Sequence, residues 1–234
     1  MAMTLPASPP HPQPQPHPDH NPTDATGSGG SASIPASQIT GVVLAGGRGA
    51  RMGGVDKGLQ LYNGVPMALH ALRRLQPQVE GVLLNANRHQ DQYQAFGAPV
   101  HPDALPDYAG PLAGFITALQ HCPTPYLMTV PCDSPLFPSD LVARMAQALL
   151  HDEADIAMAS VQEPDRHGQL AWRSQPVFCL LPVRLLSSLN AFVKEGGRKI
   201  DAWTALHKTV LVPFEDARAF ANANTLDQLQ ALQS

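Results

Sequence analysis

The stretch VVLAGGRGARMGGVDKGLQ, residues 42–60, begins as an aliphatic run and then continues for ten residues almost without apolar side chains. Five residues from Gly46 to Gly54 are glycine, Arg48 and Arg51 stand among them, and Lys57 follows. A short β-branched and aliphatic segment that stops at glycines, as ITGVVLA (39–45) does, predicts a buried strand. The loop behind it has two readings. Glycines let a backbone turn sharply and bring its N–H groups against anionic oxygens, while Lys and Arg neutralise charge. A solvated flexible turn has the same composition. Two familiar phosphate loops are excluded. A Walker A loop needs a glycine before its lysine and Ser or Thr after it, but Lys57 lies between Asp56 and Gly58. A dinucleotide fingerprint read from Gly47 needs glycine where Met52 stands, and no acidic residue ends the second strand.

Beyond this loop the chain alternates. Pro66 opens a helix through MALHALRRL, with Met67, Leu69, Leu72 and Leu75 mainly on one side. GVLLNAN (81–87) predicts a second strand and APVHPD (98–103) a third. GPLAGFITALQHC (110–122) is helical, and YLMTVPCD (126–133) is a strand that ends at Asp133. Ser139 is expected to cap the helix DLVARMAQALL, which leads to the strand ADIAMASV (154–161). Past residue 162 the pattern loosens: QLAWRSQPVFCLLP suggests two short strands or a hairpin with a helix after it, and KTVLVPF (208–214) another strand. ANANTLDQLQAL closes the chain as a helix capped near Asn224 or Thr225. Such alternation predicts an α/β fold, a mainly parallel sheet covered by helices on both faces. The loops after Ala45, Asn87 and Val130 then fall on the carboxyl edge, where open α/β sheets bind ligands.

Residues 1–38 differ in kind from the rest. HPQPQPHPDHNP (11–22) gives way to TGSGGSAS (26–33), and nine of the 24 prolines precede Gln38. Such a segment buries too little apolar surface to offset the entropy of ordering it, which predicts a disordered tail with solvated His11, His17 and His20. It has neither the cationic start nor the apolar run of a signal peptide. Residues 39–234 suit one domain with a real core. No apolar run approaches the ~18–20 residues of a membrane span. A net charge of −4 gives no global attraction to nucleic acid or an anionic membrane. Cys122, Cys132 and Cys179 form no CxxC pair, which fits reduced thiols in a cytoplasmic protein.

The wording of the loop decides between its two readings. LAGGRGARMGGVDKGL resembles the signature of the nucleotidyltransferases that activate small molecules with a nucleoside triphosphate. NANRHQDQY (85–93), DYAGPLAG (107–114), VPCDSP (130–135) and ANANT (221–225) follow in the order and spacing of one branch, the molybdenum cofactor guanylyltransferases. The resemblance covers residues 39–234 and is weakest over 163–208. It implies a three-layer Rossmann-like fold. It also implies a reaction in which a molybdopterin phosphate, with or without molybdenum already in place, attacks the α-phosphorus of GTP and pyrophosphate leaves.

The same resemblance assigns roles. Leu44, Ala45, Gly46 and Gly47 would edge the guanine and begin the triphosphate wrap, with Arg51 and Lys57 as cations on the phosphates. Asp133 suits Mg²⁺, which takes one or two carboxylates plus waters and phosphate oxygens. Asn85 and Asp103 are nucleotide contacts, the Asp103 carboxylate being able to accept from guanine N1–H and the 2-amino group. Gly110, Gly114, Asn222 and Asn224 belong to the acceptor side, with Arg198, or its rival Lys199, on the acceptor phosphate. Cys132 reads as a packing residue. Implied partners are GTP, molybdopterin, and molybdoenzyme apoproteins or their chaperones. A cytidylyltransferase of the same cofactor and a non-catalytic cofactor carrier are the alternative readings.

Overall fold

In the computed structural model, which describes residues 33–47, 56–104 and 110–222, strand β1 (Ile39–Leu44) has no polar face and only its last residue is partly open. That is the pattern of a central strand covered on both sides. A hairpin of β2 (Leu61–Tyr62) and β3 (Val65–Pro66) follows, turning at Asn63 and Gly64 with φ of 49° and 76°. Positive φ at both central residues is what an Asn-Gly hairpin turn supplies at least cost. Then come helix α1 (Met67–Leu75), strand β4 (Gly81–Asn85), the short helix α2 (Gln90–Gln94) and strand β5 (Val100–His101). Helix α3 (Pro111–His121), strand β6 (Tyr126–Pro131) and helix α4 (Leu141–His151) complete the first half. Strands β7 (Ile156–Pro164) and β8 (Leu170–Pro182), helices α5 (Leu186–Lys194) and α6 (Ile200–Thr204), and strand β9 (Thr209–Phe214) make up the second.

The main sheet has seven strands in the order β5-β4-β1-β6-β8-β7-β9. All neighbours are parallel except at β8, which runs antiparallel to both β6 and β7. Where two short strands or a hairpin were expected in 169–182, there is one strand of 13 residues that itself forms the hairpin with β7. Its reversal is local: the Asp165 carboxylate accepts from the backbone N–H groups of His167 and Gln169, at 2.8 and 2.9 Å. A turn so tight leaves no room for a crossover helix, so the second strand must return antiparallel.

Adjacent residues along the strands serve opposite faces, as the two-residue strand period requires. Val43, Leu84 and Val130 pack with α1 and α4, whereas Val42, Leu83 and Leu127 pack with α3, α5 and α6. Two local expectations need correction. Asp140, not Ser139, occupies the cap position of α4, and it makes no side-chain cap bond. Ile34, placed in the tail by the sequence, is 7% exposed and joins the core beside α1 and α4. The hydrophobic core therefore includes a residue before Ile39.

Candidate active site

Register brings the motifs to one edge. Leu44 stands opposite Asn85 of β4 and Pro131 of β6, and Asn85 stands opposite His101 of β5. Four parallel strands thus end together, and the chain leaves Leu44 between its two neighbours. The Ala45 N–H donates to the Asn85 carbonyl at 2.8 Å, and the Cys132 N–H donates to the Leu44 carbonyl at 3.1 Å. The predicted nucleotide residues Leu44, Ala45, Gly46 and Gly47 begin from this point.

Lys57 and Asp133, 76 residues apart in sequence, meet here. The Lys57 ammonium donates to Asp133 Oδ2 at 3.1 Å, and the two side chains are 22% and 15% exposed. Lys57 lies at the start of a single 3-10 turn, Lys57–Leu59, and Asp133 lies two residues beyond the end of β6. A cation and a carboxylate at the mouth of a parallel sheet can divide between a triphosphate and its counter-ion. Among the described residues no three His, Cys, Asp or Glu side chains converge on a metal position. One carboxylate nevertheless suffices for a Mg²⁺ that arrives with phosphate oxygens.

A second cluster shapes the loop from the β4 side. The side-chain amide of Asn85, buried at 3% exposure, donates to Asp103 Oδ1 at 2.9 Å and to the His101 carbonyl at 3.1 Å. Asn87 donates to Asp103 Oδ2 at 2.7 Å and to the Gly46 carbonyl at 3.0 Å, and it accepts from the Asp103 N–H at 2.7 Å. The two Asp103 oxygens thus orient both amides, and Asn87 in turn holds the Gly46 carbonyl. Beside them, the His101 and His121 rings stack with centroids 3.8 Å apart. Burial, and then His121 itself, hold His101 below its ordinary value, so the neutral ring is favoured.

The acceptor-side expectations fare unevenly. Gly110 precedes α3 at φ 149°, a conformation that favours glycine, so its identity is explained by the backbone turn. Gly114 does permit a close approach, but by protein atoms. A Cβ there would lie 2.6 Å from Asn85 Oδ1 and 2.9 Å from Leu44 Cδ2. The Arg198 guanidinium donates to the carbonyls of Val193 and Gly197, at 3.1 and 2.7 Å, closing the carboxyl end of α5. Asn222 is drawn to the centre: its side-chain oxygen accepts from Ser134 Oγ at 2.5 Å, one residue past Asp133. Arg51 and Asn224 lie outside the described residues.

Several structural residues were not anticipated from the sequence. Asn87, Asp56, Tyr93 and Ser134 all hold the site's side chains or loops, and Asp56 accepts from the buried Tyr93 hydroxyl at 2.6 Å. Asn87 was legible as the second of two asparagines spaced for one side of an extended chain; Ser134 had no signal. Cys132 is buried, and burial together with the charges of Asp133 and Asp56 pushes its thiol well up. It remains a packing group.

Comparison with known proteins now bears on the assignment. The MobA-like NTP transferase domain family matches residues 41–210. A molybdenum cofactor guanylyltransferase of Albidiferax ferrireducens is 60% identical over 207 residues, covering 86% of this chain and 98% of that protein. This chain belongs to that family. A guanylyltransferase of Ralstonia nicotianae is 58% identical, covering 85% of this chain and 98% of its own. In fold, the chain is similar to the molybdopterin-guanine dinucleotide biosynthesis protein A of Archaeoglobus fulgidus (TM-score 0.64, 17% identity, 83% and 96% covered). It is equally similar in fold to a 4-diphosphocytidyl-2C-methyl-D-erythritol synthase of Anaerococcus prevotii (TM-score 0.65, 8% identity, 85% and 95% covered). The fold is thus common to proteins of different names, and it is the sequence relatives that identify the guanylyltransferase family.

Proposed function

We propose that the chain transfers GMP from GTP to the terminal phosphate of molybdopterin, releasing pyrophosphate and forming molybdopterin guanine dinucleotide. The observation that carries this reading is the pairing of Lys57 with Asp133 at the carboxyl edge of the sheet. A phosphate oxygen of the acceptor forms the new bond to the α-phosphorus as the bond to the departing pyrophosphate breaks. The attacking phosphate is already anionic near neutral pH, so the step needs no general base. Its demands are positioning and charge neutralisation.

The chain's residues divide these tasks. Leu44, Ala45, Gly46 and Gly47 edge the base and start the triphosphate wrap, with Arg51 contributing a further cation. Asn87, oriented by Asp103, fixes the Gly46 carbonyl from the β4 side, and Asn85 holds the other Asp103 oxygen. Lys57, a compact charge on a flexible stem, follows the β- and γ-phosphate oxygens as charge accumulates on the leaving group. Mg²⁺, when bound at Asp133, supplies further neutralisation of the triphosphate. Asn222 and Asn224 would offer amide groups to the pterin, and Arg198 is assigned to the acceptor phosphate.

The setting is cytoplasmic, with an apoenzyme or chaperone receiving the product; among the described residues no helix is long and apolar enough to cross a membrane. The test is pyrophosphate release measured with GTP and with CTP, each with and without molybdopterin and Mg²⁺. Release is expected only with GTP, molybdopterin and Mg²⁺ together. Turnover with CTP instead would move the chain to cytidylyl transfer, and tight ligand binding without release would make it a carrier.

A further inference from the structure

Next to Lys57 the chain buries a second carboxylate that the reaction does not use. Asp56 is 8% exposed, and an acidic group so close to a triphosphate site opposes binding of the anion. Its partners explain where it sits. Tyr93, fully buried on α2, donates its hydroxyl to Asp56 Oδ1 at 2.6 Å. His89 Nδ1 lies 3.1 Å from Asp56 Oδ2. Burial first, and then the neighbouring Cys132 and Asp56, push the phenol far up, so it stays a donor at any physiological pH.

On the other side of Lys57 stands Gly58, and a Cβ there would collide with the same Tyr93 hydroxyl. The nearest other atoms, Ala68 Cβ and Tyr93 Cζ, would lie at 3.1 and 3.2 Å, which is tight but tolerable. One phenolic oxygen therefore fixes the residue before Lys57 by a hydrogen bond and the residue after it by contact. The 3-10 turn closes the arrangement: the Leu59 N–H donates to the Asp56 carbonyl at 3.3 Å and the Gln60 N–H to the Lys57 carbonyl at 3.1 Å.

From this geometry we infer that Tyr93 and Asp56 are positioning residues, a buried strut that sets where Lys57 stands and aims its ammonium at Asp133. The phenol touches no substrate in this scheme; it acts through the backbone of 56–58. The inference deepens the guanylyl-transfer reading and rests on it only for its catalytic consequence.

The experiment has an arm that needs no nucleotide. Wild type and Tyr93→Phe, which removes only the hydroxyl, are treated with a limiting amine acylating reagent, and the rate at Lys57 is read by peptide mass spectrometry against Lys194 and Lys208. Loss of a hydrogen bond to a buried carboxylate should loosen the turn and raise the Lys57 rate about tenfold, leaving the reference lysines unchanged. An unchanged Lys57 rate in folded Tyr93→Phe overturns the strut, whatever the enzyme's reaction proves to be. Asp56→Asn keeps an oxygen able to accept from the phenol and should label like wild type, whereas Asp56→Ala should label like Tyr93→Phe. If Tyr93→Phe does not fold, the two Asp56 variants carry the same contrast.

The catalytic arm is a cycle with Lys57→Ala. Tyr93→Phe should lower kcat for pyrophosphate release about tenfold in the wild-type background and have little further effect once Lys57 is alanine. Equal losses in both backgrounds overturn action through Lys57. If wild type itself releases no pyrophosphate, the functional reading fails while the labelling arm still decides the strut.

Discussion

Replacing Gly114 with alanine offers a test in which two simple arguments give opposite signs. In a helix interior free of neighbours, Gly→Ala stabilises by about 1 kcal/mol. At Gly114 the new methyl would stand 2.6 Å from Asn85 Oδ1 and 2.9 Å from Leu44 Cδ2. The leucine terminus can swing aside. Asn85 cannot do so freely, because its amide is tethered to the His101 carbonyl and to Asp103 Oδ1. Moving it breaks one bond to a carboxylate, worth roughly 1.5–3 kcal/mol, and strains one to a carbonyl, worth roughly 0.5–1.5 kcal/mol. Subtracting the helix gain leaves a net loss of about 1–3.5 kcal/mol, or about 2–14 °C in Tm for a domain of this size. Because Asn85 shares Asp103 with Asn87, which holds the Gly46 carbonyl, the KM for GTP should rise with kcat less affected. Calorimetry on the purified variant and pyrophosphate release over a range of GTP concentrations measure both effects. A higher Tm than wild type would refute the packing argument and return Gly114 to an approach route for ligand.

Four further outcomes are expected. Asp133→Asn should retain the wild-type Tm within a few degrees and lose nearly all Mg²⁺-supported turnover, on the order of 10²–10³-fold; near-normal rates would mean that the metal carboxylate lies elsewhere. Removal of residues 1–32, upstream of the buried Ile34, should leave kcat unchanged, and extending the deletion through Ile34 should lower Tm. The pair Asn222→Ala with Asn224→Ala should leave GTP affinity near wild type and weaken molybdopterin binding about tenfold, read by separate titrations; a collapse of GTP affinity alone would reverse the two halves. The lowered pKa of His101 means that the unfolded state takes up protons first as pH falls, so this site's contribution is intact above the ordinary histidine value and is lost as pH drops through the folded one. Thermal unfolding of His101→Gln from pH 8 to 5 should accordingly decline less steeply than wild type.

Much of the architecture could be read before any coordinates. Ile39–Leu44, Gly81–Asn85 and Tyr126–Pro131 are short apolar runs stopped by glycine, asparagine or proline-rich turns, and each became a parallel strand. What periodicity could not supply was strand direction. The antiparallel course of β8 depends on Asp165 closing a tight turn, and nothing in the alternation of Leu170–Pro182 encodes it. The hairpin at Asn63–Gly64 was missed, because it carries only two residues on each side, too few to show alternation. Within the site, Lys57 and Asp133 were singled out through the family resemblance, and the fold brings the two side chains together. Tyr93 and Ser134 were not, since a phenol and a hydroxyl acquire their roles only from partners 37 and 88 residues away.

The bond between Ser134 and Asn222 also bears on how the protein emerges from the ribosome. Strands β5, β4, β1 and β6 are neighbours in the sheet and draw only on the chain up to Pro131. These four strands can therefore assemble on a nascent chain before β7, β8 and β9 are made. The Ser134 hydroxyl must wait a further 88 residues for its partner. Translation thus makes the residues of the Lys57–Asp133 pair first and those of the Ser134–Asn222 bond last. A nascent chain stalled before Asn222 would present the Lys57–Asp133 pair with the neighbouring Ser134–Asn222 bond unmade.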